Sequence, residues 1–380
     1  MPVFSDGQKM SKALVWDRMI QSVPASYMVW KDGSTYRAEC LLKGGTDYSG
    51  TDAATVIQAA IDALQYSGRL FFKEGVYDLG TTTLNLASYT TIVGAGRGIG
   101  SSQGTILTYS GSGGALNVGT MDEVVVRDLC VKVTGDNGKC VTMDSGALLN
   151  YFDNCLFVGT KKSGQIGAYL VPSGSDGSYW NLFGRCQFNN LGTGVYLNKS
   201  ASGAVFNVLR LHQCSWYNML NYGINVDYGN SLEVFGGTMD YSAGATGIRL
   251  DHCTGAFIFG IVIELGTNST GINFTENSER CTFIGRTNCP NSDINLGTLN
   301  WIIDAGIREF HPPWSNSGSA TGTGSQQTIA HGCDFTPSKE NVILSNIDDG
   351  ANPYLSAEPD ATNIYVTAVN GKKYRWEVKR

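Results

Sequence analysis

The apolar pattern over residues 178–290 is one short phrase repeated. Each copy holds an apolar pair, a small residue, an apolar residue, a loop, and then glycine followed by apolar-x-apolar. The closing part recurs as Gly167-Ala168-Tyr169-Leu170, Gly194-Val195-Tyr196-Leu197, Gly223-Ile224-Asn225-Val226, Gly247-Ile248-Arg249-Leu250 and Gly271-Ile272-Asn273-Phe274. Successive glycines lie 27, 29, 24 and 24 residues apart. A period in the twenties means stacked supersecondary units, each leaving a face open unless its neighbour covers it. Each piece alternates as a strand does, and none is long enough for an amphipathic helix.

A second set of columns lies upstream in each copy: Cys155-Leu156-Phe157, Cys186-Gln187-Phe188, Cys214-Ser215-Trp216, Gly237-Thr238-Met239 and Ile261-Val262-Ile263. The first and third positions are always apolar or small, and the middle one varies. Stacked in register, the copies give inward ladders with one rung per coil. The expected fold is all-β, a single-stranded right-handed parallel β-helix.

The flanks complete this picture. Tyr27-Met28-Val29-Trp30 and Tyr36-Arg37-Ala38 predict a hairpin around Asp32-Gly33. One helix follows, with Thr51 as expected N-cap, Asp52 in the first turn and an apolar stripe of Val56, Ile57, Ala60, Ile61 and Leu64. Such a helix can lie over the open end of a β-helix, where a hydrophobic rung and unpaired backbone groups would otherwise meet water. Residues 309–327, rich in Ser, Gly, Thr, Ala and Asn after Pro312-Pro313, read as a linker. Beyond it, Val342-Ile343-Leu344, Ile364-Tyr365-Val366 and Tyr374-Arg375-Trp376-Glu377-Val378 alternate like a small antiparallel β-sandwich. The expected division is an N-terminal hairpin and attachment segment over 1–47, the β-helix with its capping helix over 48–308, the linker over 309–327, and the sandwich over 328–380.

Composition agrees. A chain of 380 residues can bury a sizeable core, and 48 glycines with only 16% charged residues suit many tight turns and few helices. The formal net charge of −6 argues against nucleic acid as a partner, while leaving room for a local basic groove. Ten cysteines without a C-x-x-C pair argue against a zinc ribbon. Cys155, Cys186 and Cys214 fall in one inward column as small hydrophobes. Pairings among Cys40, Cys140, Cys253, Cys281, Cys289 and Cys333 stay open. No apolar run is long enough to insert in a membrane, and no secretory leader is visible at Met1-Pro2-Val3-Phe4, so an extracellular or virion-associated protein would need another route of release. Gly94-Ala95-Gly96-Arg97-Gly98-Ile99-Gly100 lacks the final glycine spacing and the helix of a dinucleotide fingerprint, and reads as a β-helix turn.

Thr51-Asp52-Ala53-Ala54 running into Ile57-Gln58-Ala59-Ala60-Ile61-Asp62, followed by Phe71-Phe72-Lys73-Glu74-Gly75-Val76-Tyr77, resembles the opening of the pectate-lyase-like superfamily of β-helix proteins. That superfamily includes plant-polymer lyases, glycoside hydrolases and viral tailspikes. The resemblance covers roughly residues 48–305 and implies the fold far more sharply than the reaction, since one fold hosts many chemistries. Gln327-Thr328-Ile329-Ala330-His331-Gly332 with Thr336-Pro337-Ser338 is similar to small C-terminal modules of viral tail proteins, which implies trimerisation or glycan binding.

The chemistry would sit on outward columns. Tyr169, Tyr196, Asn225, Arg249 and Asn273 form one, at an inter-strand spacing of about 4.8 Å. Aromatic rings beside amide and guanidinium donors suit a sugar chain. Asp240 and Glu264 each follow an inward residue at the same place in neighbouring coils. Their separation of roughly 5 Å is near that of a retaining glycosidase pair, and mutual repulsion would keep one protonated. The same ladder can instead be solvated or hold a cation such as Ca²⁺; no other cofactor or metal is expected. Asp227, Asp251, His252 and Arg249 are further candidates. Arg249 is suited to a uronate carboxylate, and with His252 and Tyr217 could serve a β-elimination.

The expected function is therefore a polysaccharide depolymerase assembled as a homotrimer. It would hydrolyse glycosidic bonds with Asp240 and Glu264, with Asp251 and His252 as further catalytic candidates. Arg249, Tyr169, Tyr196, Asn225, Tyr217 and Asn273 would bind substrate. A uronate lyase and a non-catalytic glycan-binding fibre are the alternatives.

Overall fold

A computed structural model describes residues 25–42, 44–64, 67–98, 104–171, 177–198, 206–241, 244–288, 294–295, 300–304, 310–311, 315–330, 337–347, 352–360 and 363–379. The central chain winds as a parallel β-helix of about eight turns. One complete coil runs through Leu182–Gly184, Gln187–Asn189, Thr193–Leu197 and the short Phe206–Asn207 before the next begins at Arg210–His212. The third strands of successive coils form a nine-stranded sheet from Leu84–Asn85 to Ile294–Asn295, and the fourth form a four-stranded sheet. We call these strands first to fourth below.

The register is the one the repeats imply. Phe157, Phe188, Trp216, Met239 and Ile263 pair coil to coil in the second strands, and all are fully buried. In the third strands Ala168, Val195, Ile224, Ile248 and Ile272 do the same. Large rings stack inside, with Phe188 and Trp216 parallel at 5.6 Å and Phe152 and Phe183 at 4.9 Å. The repeated glycine exists to admit them. A Cβ on Gly194 would lie 2.4 Å from the Trp216 ring and 2.6 Å from the Gly223 carbonyl, and one on Gly167 would lie 2.4 Å from Phe188. No side chain fits such an approach.

Buried thiols and amides satisfy several of the backbone groups between coils. Cys155, Cys186 and Cys214 are free, and each donates its S–H to a carbonyl of the preceding coil, at Val126, Phe152 and Phe183. Burial pushes the Cys186 and Cys214 thiols well up, so they stay protonated. Cys40, Cys140, Cys253 and Cys281 are also free, while Cys289 and Cys333 lie outside the described residues. The Asn150 side chain accepts from Val124 N–H at 2.9 Å and donates to Met121 O and Asn181 Oδ1, both at 2.9 Å. Asn181 donates in turn to Ala147 O.

The N-terminal end is closed as expected, with one correction. The helix Ala53–Ala63 buries Ala53, Ala54, Val56, Ile57, Ala60 and Ile61. Its N-cap is Asp52, not Thr51: the carboxylate accepts from Ala54 N–H and from Thr55 Oγ1 at 2.6 Å, so the helix starts one residue later. Gln58 on this helix reaches the edge strand Leu84–Asn85, donating to Asn85 O at 3.0 Å and accepting from Asn85 N–H at 2.8 Å. An amide side chain thus replaces the missing neighbouring strand. The hairpin Tyr27–Asp32 with Thr35–Cys40 adds a further rung by pairing parallel to Gly68–Phe72. Residues 1–24 of the attachment segment, and 172–176 of the long loop after the third strand, lie outside the described residues.

At the C-terminal end the linker expectation fails. Ser315–Thr321 is a strand paired antiparallel along its whole length to Lys373–Lys379. Two three-stranded antiparallel sheets result, around Ile364, Val366, Tyr374, Trp376 and Val378. The small polar composition that mimics a linker supplies backbone pairing instead.

The corner leading into the first strands carries a residue with positive φ in successive described coils, including Leu149, Trp180, Val208 and Ser231 at 53–55°. For a β-branched residue this is a strained conformation. Gly194→Ala is therefore expected to destabilise the chain by about 1–3 kcal/mol through overpacking, whereas Val208→Gly should stabilise it by about 0.5–1 kcal/mol by relieving the corner. Denaturant unfolding of the two variants checks both signs; an unchanged midpoint for the first, or a lowered one for the second, contradicts this packing account.

Candidate functional site

The third strands end in a column just past their last inward residue: Asn198, Asp227, Asp251 and Thr275 follow Leu197, Val226, Leu250 and Phe274. Beside it runs the outward column Tyr169, Tyr196, Asn225, Arg249 and Asn273, in direct coil-to-coil register. Parallel stacking places the two columns edge to edge, so polar groups from five coils converge.

Arg249 is the hub. Its Nη1 donates to Asp227 Oδ1 at 2.5 Å and to Asn225 Oδ1 at 3.0 Å, while Nη2 donates to Asp251 Oδ2 at 2.9 Å. Tyr196 donates its hydroxyl to the other oxygen of Asp227. Asn198 links the tyrosines, donating to Tyr169 OH at 2.9 Å, and the two rings lie 5.6 Å apart. Asp251 also accepts from Thr275 Oγ1 at 2.7 Å and Asn277 Nδ2 at 3.0 Å. His252 Nδ1 stands 3.2 Å from Asp251, and its ring stacks on Tyr228 at 5.8 Å.

The electrostatics follow from these contacts. Burial alone would raise the Asp251 pKa, but the hydrogen bonds from Thr275 and Asn277 and the charge of Arg249 outweigh it and hold the carboxyl below its ordinary value. Burial of Tyr196, together with the Asp227 carboxylate beside it, pushes that hydroxyl up and keeps it a donor. Burial disfavours the Arg249 charge, yet the hydrogen bond and charge of Asp227 more than offset it, so its pKa rises.

A groove of about 560 Å³ opens beside this network, lined by Tyr196, Tyr222, Asn225, Asp227, Arg249 and Ser163 among others. Ser163 and Tyr222 come from the corner leading into the third strands and from the first position of such a strand. Neither was expected from the sequence: a corner serine carries no pattern, although Tyr222 shares its register with Thr193. Past the third strand that ends at Leu170, Ser178–Tyr179 belongs to the four-stranded sheet.

The other carboxylate pair lies elsewhere. Asp240 and Glu264 are paired neighbours in the second strands, and Tyr217 precedes them in the same column. Both carboxylates are exposed, and among the described residues neither has a hydrogen-bonding or ionic partner. They do not line the groove, being separated from Arg249 by a corner and most of a third strand. The sequence therefore grouped into one site residues that the structure divides between two faces. It also offered Arg249 as a free anion holder, and its guanidinium is already shared by two carboxylates. Among the described residues no group of three or more His, Cys, Asp or Glu side chains is placed to hold a metal ion, and no helix is long and apolar enough to cross a membrane.

No family model matches the chain, and no curated protein sequence matches it. Solved structures with a similar chain path include ORF18 of Geobacillus virus E2, at 16% identity and a TM-score of 0.48, covering 85% of this chain and 75% of that one. The tailspike protein of Acinetobacter phage vB_ApiP_P1 is similar at 12% identity and a TM-score of 0.44, covering 87% and 84%. PfbA, a surface adhesin of Streptococcus pneumoniae, is similar at 14% identity and 0.43, covering 66% and 78%.

Because the folded-state pKa of Asp251 is depressed, its network contributes stability that is fully present above the unfolded value of about 3.9 and is lost as pH falls through the lower folded value. Asp251→Asn should therefore cost stability at pH 7, and the gap to the unaltered chain should narrow as pH falls below about 4. Unfolding midpoints across pH 7 to 2.5 measure this; a gap independent of pH contradicts it.

Proposed function

We propose that the chain binds a polysaccharide along the groove of its third-strand face and cleaves it by hydrolysis. The observation that carries the binding is the groove itself: hydroxyls of Tyr196 and Tyr222 beside the amide of Asn225 and the ion-paired Asp227 and Arg249. A concave site with ring faces and a few fixed polar groups suits a sugar chain, which presents apolar faces and hydroxyls together.

Hydrolysis is favoured over β-elimination by the state of Arg249. An eliminase must neutralise a uronate carboxylate and the enolate that grows from it. Among the described residues lining the groove Arg249 is the only cation, and Asp227 and Asp251 already neutralise it. Asp240 and Glu264 fit hydrolysis better. Their strands are register partners about 4.8 Å apart, a spacing that allows the carboxyl groups the separation of about 5–5.5 Å of a retaining pair, where one acid protonates the leaving oxygen and the other attacks the anomeric carbon. A polymer held in the groove would have to extend across the corner to reach them. The proposal includes display outside a cell or on a virion, and assembly as a homotrimer.

Incubation with a polysaccharide panel tests this, with reducing ends and unsaturated-uronate absorbance read in parallel. We expect reducing ends without the absorbance. Asp240→Asn and Glu264→Gln should each lower the rate by about 100-fold or more while binding persists, and Tyr196→Ala should weaken binding by about fivefold or more. Full activity in both carboxylate variants removes the pair from catalysis. Binding without new reducing ends makes the chain an adhesin, and absorbance of unsaturated uronates makes it a lyase.

A further inference from the structure

We infer that the groove selects sugars that carry an amine and rejects sugars that carry a carboxylate. This rests on the reading of the groove as a glycan site and adds the charge class of the glycan.

The argument is one of charge balance. Asp251 is held ionised by its donors, Asp227 accepts from both Tyr196 and Arg249, and a single guanidinium serves both carboxylates. Two anions and one cation leave the network net negative. The cations nearby do not restore the balance. Lys139 donates to Ser112 O at 2.8 Å and lies over the Tyr169 ring, and among the described residues it forms no ion pair with either carboxylate. Lys162, beside the rim residue Ser163, pairs with Asp136. His252 Nδ1 stands 3.2 Å from Asp251 Oδ1 and its ring stacks on Tyr228, so among the described residues its ionic contact is with Asp251 and not with Asp227. The uncharged groups at the groove are hydroxyls and amides from Ser163, Thr193, Asn221, Tyr222 and Asn225.

An ammonium group arriving here finds Asp227 half-buried and short of one full charge of compensation, with oxygen lone pairs still open between its two donors. A uronate arriving at the same place meets the same field with the opposite sign, and the one guanidinium it needs is engaged. Discrimination against the like-charged sugar thus comes from repulsion as well as from the missing partner.

The test uses matched oligosaccharide triplets, with glucosamine, N-acetylglucosamine and glucuronate units in α-1,4, β-1,4 and β-1,3 linkage, titrated into the full chain at low and high salt. The expected result is that the amine member of a triplet binds about fivefold or more tighter than its N-acetylated partner, that the uronate does not bind, and that the preference shrinks as salt rises. Asp227→Asn should abolish the preference, read as the ratio of amine to N-acetylated binding within each triplet whatever the absolute affinity. Asp251→Asn provides a second reading of the same charge, and an unfolding midpoint shows that each variant is folded. Uronate binding equal to or tighter than amine binding, or a preference that survives both variants, overturns the charge inference alone. Binding of none of the triplets overturns the reading of the groove as a glycan site, and the charge preference with it.

Discussion

The constraint on which everything else depends is that each coil lies directly above the one before, residue on like residue. Parallel pairing at about 4.8 Å fixes this spacing, and the interior must then fill a narrow channel with repeated shapes. The chain solves the problem by opposing columns. Where the second strand carries Phe188, Trp216 or Met239, the facing third strand carries glycine, and a methyl group there would meet ring carbons or the next carbonyl. Size on one wall dictates its absence on the other, so neither column can change alone.

Stacking like on like is favourable for rings and thiols and unfavourable for charges. The outer columns show how the chain manages this. Arg210 sits over Glu233, and Asp153 is gripped by Arg185 in the next coil. Asp227 and Asp251 flank Arg249 so that two acids share one base. Asp240 and Glu264 are the exception, being acids on acids with no counter-ion among the described residues. The opposite-charge pairing seen at those positions is absent at this pair among the described residues, and like charges stacked in register carry a local cost.

Much of this was legible in the sequence, and the limits have physical causes. The glycine and cysteine columns repeat because one environment recurs at every coil, so the coil register could be read from them and the structure has it. The left-handed corners could not be read at Val208, Leu149 or Trp180, because those residues carry no turn signature and adopt the conformation only under the stack's geometry. Ser315–Thr321 resembled a linker because small polar residues serve both a flexible segment and a strand whose pairing is made by backbone. The engagement of Arg249 stayed hidden for a different reason. Its partners arise from its own coil and the one before it, and sequence columns show which residues are neighbours without showing which way a long side chain turns.

The amide of Gln58 has a wider consequence. A solenoid of parallel strands is in principle endless, since its last rung offers the same row of donors and acceptors as every rung before it. By occupying the Asn85 N–H and carbonyl from a helix that cannot itself be extended by a strand, Gln58 gives the coil a beginning. Molecules of this chain are thereby denied head-to-tail fibre growth through that edge of the sheet.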